Sequence, residues 1–172
     1  MERKIDTTVR VNDLKPGNYH YDYTLDGVFF STFENEDFLD GNVIFKVTLE
    51  KTTHATVFHF DFQGTIKSIC DRCLGELDVA VEGKQDLLVK FSDTEVSDNE
   101  DTVVLPEKAT TIDLAQWMYE YVVVAMPMQK LHKEGECDPE VLKYLNTEEE
   151  QTEASEEIDP RWEALKQLKN ED

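Results

Sequence analysis

Cys70 and Cys73 are separated by two residues, and His132 and Cys137 by four. Thiolate sulfur and imidazole nitrogen are the donors of tetrahedral zinc sites. A two-residue gap lets one turn offer two sulfurs to one ion, and a four-residue gap suits the second half of such a set. Together they take in all three cysteines and one of the four histidines. If the two pairs meet, a turn in mid-chain is tied to a segment near the C-terminus by a structural zinc. The stretch of 58 residues between Cys73 and His132 is longer than in common zinc knuckles. Thiol redox chemistry is the other reading of a CxxC. In thioredoxin-type proteins that motif opens a helix after a strand. Here Leu74-Gly75-Glu76-Leu77 leads into a further strand pattern, which ranks redox below zinc. Cys137 stands just before Asp138-Pro139, a helix start whose amide dipoles favour a thiolate, while the Asp138 carboxylate opposes it.

The elements that must position these residues are strands first and helices later. Tyr19, Tyr21, Tyr23 and Leu25 alternate with polar residues, as do Val43, Phe45, Val47 and Leu49, and then Phe58, Phe60 and Phe62. This period of two predicts half-buried strands. His20, His54 and His59 fall within these patterns and read as surface or sheet residues rather than ligands. Ile66 to Cys70 carries a strand into the CxxC. Val79 and Val81, then Leu87, Val89 and Phe91, predict a hairpin with a bend at Gly83. Phe29, Phe30 and Phe33 suit a short helix or turn. Residues 92–102 are acidic and read as a loop, without the glycine turn and spacing of a calcium site.

The period then changes. Asp113 and Gln116 have capping-box spacing and open a helix through Leu114, Trp117, Met118, Tyr121, Val122 and Ala125, stopped by Pro127. It is apolar almost all round from Tyr121 to Met126, which predicts burial. Asp138-Pro139 and Asp159-Pro160 each place a capping carboxylate before a proline at the first helical position. The first predicts a helix to about Leu145, the second a helix with Trp162, Leu165 and Leu168 on one stripe. We expect one α+β domain over 1–145, an acidic linker over 146–158 and an amphipathic helix over 159–172. The fold expected is a curved, mostly antiparallel sheet or open β-barrel with a buried helix and short C-terminal helices.

Composition limits the function. The chain has 172 residues, with 38 acidic and 17 basic side chains and a net charge of −21. Nucleic-acid affinity rests largely on Lys and Arg displacing counterions, so little direct nucleic-acid binding is expected, and a basic partner suits the charge. Residues 134–172 carry fourteen acidic and four basic side chains, about half of the net charge. No stretch approaches the ~18 apolar residues of a membrane span. The opening residues lack the apolar core of a secretory signal, and three cysteines do not make a disulfide framework. These features predict a cytoplasmic chain with no membrane partner. Nucleophile, metalloprotease and phosphate-loop motifs are absent, which predicts a protein that is not an enzyme and has no small-molecule substrate.

The run Ile69-Cys70-Asp71-Arg72-Cys73-Leu74, the Ile112-Asp113-Leu114 helix start, and Ala125-Met126-Pro127-Met128 leading to His132 and Cys137 resemble the YceD family. The resemblance is best over 40–145. Glu136-Cys137-Asp138-Pro139 and Asp159-Pro160-Arg161-Trp162 look like its Bacteroidetes-type members. The resemblance implies a non-enzymatic role in accumulation of large-subunit ribosomal RNA, hence in ribosome assembly. With the charge, it suggests action through a basic large-subunit ribosomal protein or a pre-ribosomal particle. Arg72, with Lys67 and Lys84, is the expected partner-binding set, as a local contact to RNA. A zinc-stabilised interaction module unrelated to ribosomes is the further alternative.

Overall fold

The computed structural model describes residues 5–11, 13–53, 55–92, 102–106 and 108–152. The chain divides into two units, 1–131 and 132–172.

Four strands that follow one another in sequence make the body of the first unit: β2 (Gly17–Asp26), β3 (Asp40–Lys51), β4 (Thr56–Ile69) and β5 (Glu76–Phe91). They pair antiparallel in the order β2-β3-β4-β5, and β6 (Thr102–Leu105) adds to β5 in parallel, giving a five-stranded sheet that does not close. A separate antiparallel pair joins β1 (Thr8–Arg10) to β7 (Thr111–Asp113). The fold is thus α+β with a mostly antiparallel, open sheet.

The alternation seen in the sequence decides which face is buried. Phe58, Phe60 and Phe62 of β4 stand opposite Leu49, Val47 and Phe45 of β3, and all six are buried. Phe45 and Phe62 stack with ring centroids 4.7 Å apart. Each fully buried aromatic or aliphatic side chain of this kind contributes about 1.5–3 kcal/mol. The intervening residues form the other face. There the register aligns Asp22, Lys46, Asp61 and Lys84 across β2 to β5, a row of alternating charge. His20 and His59 lie in the neighbouring row: His20 Nδ1 is 3.1 Å from Thr48 Oγ1, and His59 Nδ1 is 2.6 Å from Asp86 Oδ1. Both therefore sit on the sheet surface as expected, whereas His54 lies outside the described residues.

The expected hairpin between Val79 and Phe91 is not formed. Val79 to Phe91 belongs to one sixteen-residue strand, β5, and Gly83 is paired with Phe62 in its middle. A Cβ at Gly83 would lie 2.7 Å from the Phe62 ring, so the glycine leaves room for a core aromatic rather than making a bend.

Among the described residues there are three helices. α1 (Gly27–Ser31) is capped by Asp26, whose Oδ1 accepts a hydrogen bond from Phe29 N, and it buries Phe29 and Phe30. α2 (Ala115–Ala125) buries Met118 and Val122, and Tyr121 meets Phe60 edge-on at 5.1 Å. Its burial is one-sided, since Val124 is 76% exposed. The expected capping box does not form either. Asp113 is held in β7 opposite Thr8, and Leu114 takes the cap position without a side-chain bond. Asp113 still accepts from Ala115 N, and also from the Thr7 hydroxyl.

The second unit begins with a turn in which Glu136 N donates to Lys133 O, with Gly135 at φ 87°. It continues into α3 (Pro139–Thr152), seven residues beyond the expected end at Leu145. The first part of the expected acidic linker is therefore helical. The rest of that linker, the 159–172 helix and most of the 92–102 loop lie outside the described residues. Among the described residues no helix is long and apolar enough to cross a membrane.

Candidate metal centre

The CxxC lies in the turn between β4 and β5. Ile69 and Glu76 are the last paired residues of the two strands, and Cys70 N donates to Gly75 O to close the loop. Leu74 N donates to Cys70 O, and Leu74, not Gly75, takes the left-handed conformation, with φ 58°. That conformation curls the loop so that Cys70 and Cys73 are both buried, while Leu74 is 77% exposed. Ser68, two residues before Cys70 on the same strand face, is also buried, and its Oγ has no hydrogen-bond partner among the described residues. A strand follows the motif, not a helix, so the thioredoxin-like setting is absent.

A second segment is fixed to this loop. Asp71 N donates to Lys130 O at 2.7 Å, and Lys130 N donates to Asp71 Oδ2 at 2.6 Å. The Lys130 ammonium reaches Asp37 at 2.8 Å, and its side chain is only 14% exposed. Backbone and side chain thus clasp residue 130 to the knuckle, two positions before His132. Proline 127 ends α2 with Met126 as its cap, which frees the chain to turn toward this clasp.

Within the second unit, His132 Nδ1 lies 3.9 Å from Cys137 Sγ. Cys137 is buried, and the next residue caps α3: Asp138 Oδ1 accepts from Glu140 N at 2.8 Å. Cys70, Cys73, His132 and Cys137 place their four donor atoms within 4.8 Å of one another. Three thiols and one imidazole are the composition of structural rather than catalytic zinc sites.

The three expected contact residues are not brought together. Arg72 is exposed within the knuckle. Lys67 lies nearby in β4, with its ammonium 3.6 Å from Glu76. Lys84 instead pairs with Asp61 at 2.9 Å, six positions along β4 from Lys67, or about 20 Å. Asp61 also holds the Lys84 pKa above its ordinary value, through a hydrogen bond and its charge.

Asp71 and Lys130 were not singled out by sequence reasoning. Asp71 sits inside the motif, but nothing in its type or spacing points to a partner 59 residues away.

The sequence pattern of the family described as large ribosomal RNA subunit accumulation protein YceD matches residues 58–169, more than half of the chain. The chain belongs to the YceD family. The match runs from β4 through the knuckle and α2 to beyond α3, and so includes all four donors. No curated protein and no solved structure matches the chain. The YceD description names accumulation of a ribosomal RNA subunit and no chemical reaction.

Proposed function

We propose that this YceD-family protein is a non-enzymatic ribosome-assembly factor that supports large-subunit rRNA accumulation by binding a basic ribosomal protein, free or on a pre-ribosomal particle, in the cytoplasm. The net charge of −21 is the observation that carries the mechanism. Such a field repels bare rRNA and attracts a cationic protein, shielding it or delivering it to its site. In this reading Cys70, Cys73, His132 and Cys137 hold a structural zinc. The ion stabilises the knuckle and takes no part in a reaction. Arg72 and Lys67 make a local contact beside the knuckle, and Lys84 contributes separately from the middle of the sheet.

The test is capture of purified large-subunit ribosomal proteins on the immobilised chain, with co-sedimentation on large-subunit precursors. Basic proteins should be retained at low salt and released as salt rises, because screening shortens the reach of surface charge. Tight binding of an rRNA fragment at physiological salt, with no ribosomal protein present, would overturn the mechanism. Metal analysis of protein purified without added zinc should return about one zinc per chain, and reactive thiols without metal would favour the redox alternative instead.

A further inference from the structure

The first unit carries an open cavity of about 780 Å³ between the segment that leads into β1, α1 and the start of α2. Its apolar wall is formed by Val28, Phe29 and Phe33, and its polar wall includes Asp6 and Asp113. No basic residue is among those that line it. Phe33 is held by a face-to-face stack on Tyr119, with centroids 4.0 Å apart, and Val28 is 40% exposed.

The two carboxylates are fixed before any ligand arrives. Asp113 Oδ1 accepts from the Thr7 hydroxyl at 2.5 Å and from Ala115 N at 3.0 Å. Asp6 Oδ1 accepts from Thr8 N at 3.1 Å. The other oxygen of each has no hydrogen bond among the described residues. Their fields converge: Tyr23, pushed up to about 12 chiefly by burial, is raised further by Tyr21 and by both carboxylates.

A fixed pair of negative charges beside an apolar wall suits a group that is cationic at its tip and apolar along its stem. Arginine and lysine have that build, and arginine also stacks on aromatic faces. An anion would meet two carboxylates, and a purely apolar group would leave them without a counter-charge. We propose that this groove receives an arginine or lysine side chain, flanked by an apolar residue, from an extended basic segment of the partner. The inference rests on the reading that the partner is a basic ribosomal protein, and it names where on the chain that protein is recognised.

Titration of the full chain with acetyl-Leu-Arg-Leu-Arg-amide at 0.15 M salt, followed by backbone amide shifts, tests it. The largest shifts are expected at Phe29, Thr32, Ala115 and Gln116. Val28→Lys and Asp6→Asn should each weaken binding at least fivefold. Glu82→Gln, on the opposite sheet face, makes the same one-unit charge change as Val28→Lys and should weaken it less than twofold. Circular dichroism checks that each variant keeps its fold. Equal weakening by Val28→Lys and Glu82→Gln, or shifts confined to other surfaces, would overturn the groove. Capture of ribosomal proteins is measured on the same variants. Capture that is unaffected by Val28→Lys sinks the groove and leaves the assembly reading intact. Peptide binding in the groove without capture of any ribosomal protein sinks the assembly reading and leaves the groove as a cation site.

Discussion

Asp71 is the residue on which the candidate metal centre turns, although it is not one of the four donors. It accepts from Lys130 N and donates its own amide to Lys130 O, so it sets where the chain stands just before His132. Loss of a partner that orients ligands typically costs 10–100-fold in metal affinity. Asp71→Ala should therefore weaken zinc binding by about 10–100-fold in competition with a chromophoric chelator, with the four ligands unchanged. An unchanged affinity would show that the clasp does not position the ligands. The four candidate donors could be named from the sequence because cysteine and histidine at short gaps have few other uses. The clasp could not, because an aspartate–backbone bond leaves no pattern in composition or spacing. Two tyrosines give a second expectation at this scale. Burial pushes Tyr23 and Tyr121 up to about 12 from an ordinary 10. The folded state thus keeps protons that the unfolded chain has lost, and this contribution to stability is full below about pH 10 and fades as pH rises toward 12. Absorbance titration should show at least two tyrosines ionising late, together with a falling unfolding midpoint across that window. Ionisation of every tyrosine near pH 10 would contradict it.

Among the elements, β4 and β5 do most to present the site, because their ends form the knuckle. Their length depends on glycines that leave space for neighbours. A Cβ at Gly64 would lie 2.2 Å from the backbone oxygen of Asn42 on β3, an atom that cannot move without breaking the β3–β4 ladder. At Gly83 it would meet the Phe62 ring, a side chain with rotamer freedom but little room, since Phe62 is 2% exposed. Gly83→Ala is expected to cost about 1–3 kcal/mol, the usual range for overpacking, and Gly64→Ala to cost more. Urea unfolding of both variants checks the order, and a milder effect at Gly64 would refute it. Alternation of Phe58, Phe60 and Phe62 made β4 readable in advance. Gly83 was misread as a bend because a glycine in a strand and a glycine in a turn look alike until the facing residue is known. Similarly, Asp113 and Gln116 have the spacing of a cap, but pairing of Asp113 with Thr8 in the β1–β7 ladder outweighs that local preference. Residues 146–158 were read as linker from their composition, yet α3 carries on into the first part of them, to Thr152. Glutamate is a good helix former, so its abundance there supports extension of a helix already capped at Asp138.

For the whole molecule, charge is the dominant fact. An excess of 21 negative charges on 172 residues makes the folded state repel itself. Screening by salt relieves this repulsion, so the thermal midpoint should rise by several degrees between 0.05 and 0.5 M sodium chloride, over the same range in which partner capture is lost. A midpoint that falls with salt would mean that attractive ion pairs, such as those of Lys84 and Lys130, outweigh the net repulsion. The fold class was open to sequence reasoning, because it follows from periodicity. Which residues share a surface was not, as the separation of Lys84 from Arg72 shows. The clasp between residues 71 and 130 also bears on the order in which the chain assembles. β2 to β5 pair with their sequence neighbours, so each ladder closes a short loop and forms early. Joining 71 to 130 closes a loop of 59 residues and bears a larger entropic cost, so it belongs to a late step. During synthesis the sheet can form while the last donor, Cys137, is still inside the ribosomal tunnel. An ion held by the four donors would then be captured by a chain whose β-sheet is already in place, and added zinc should change the rate of the final folding phase but not of the first.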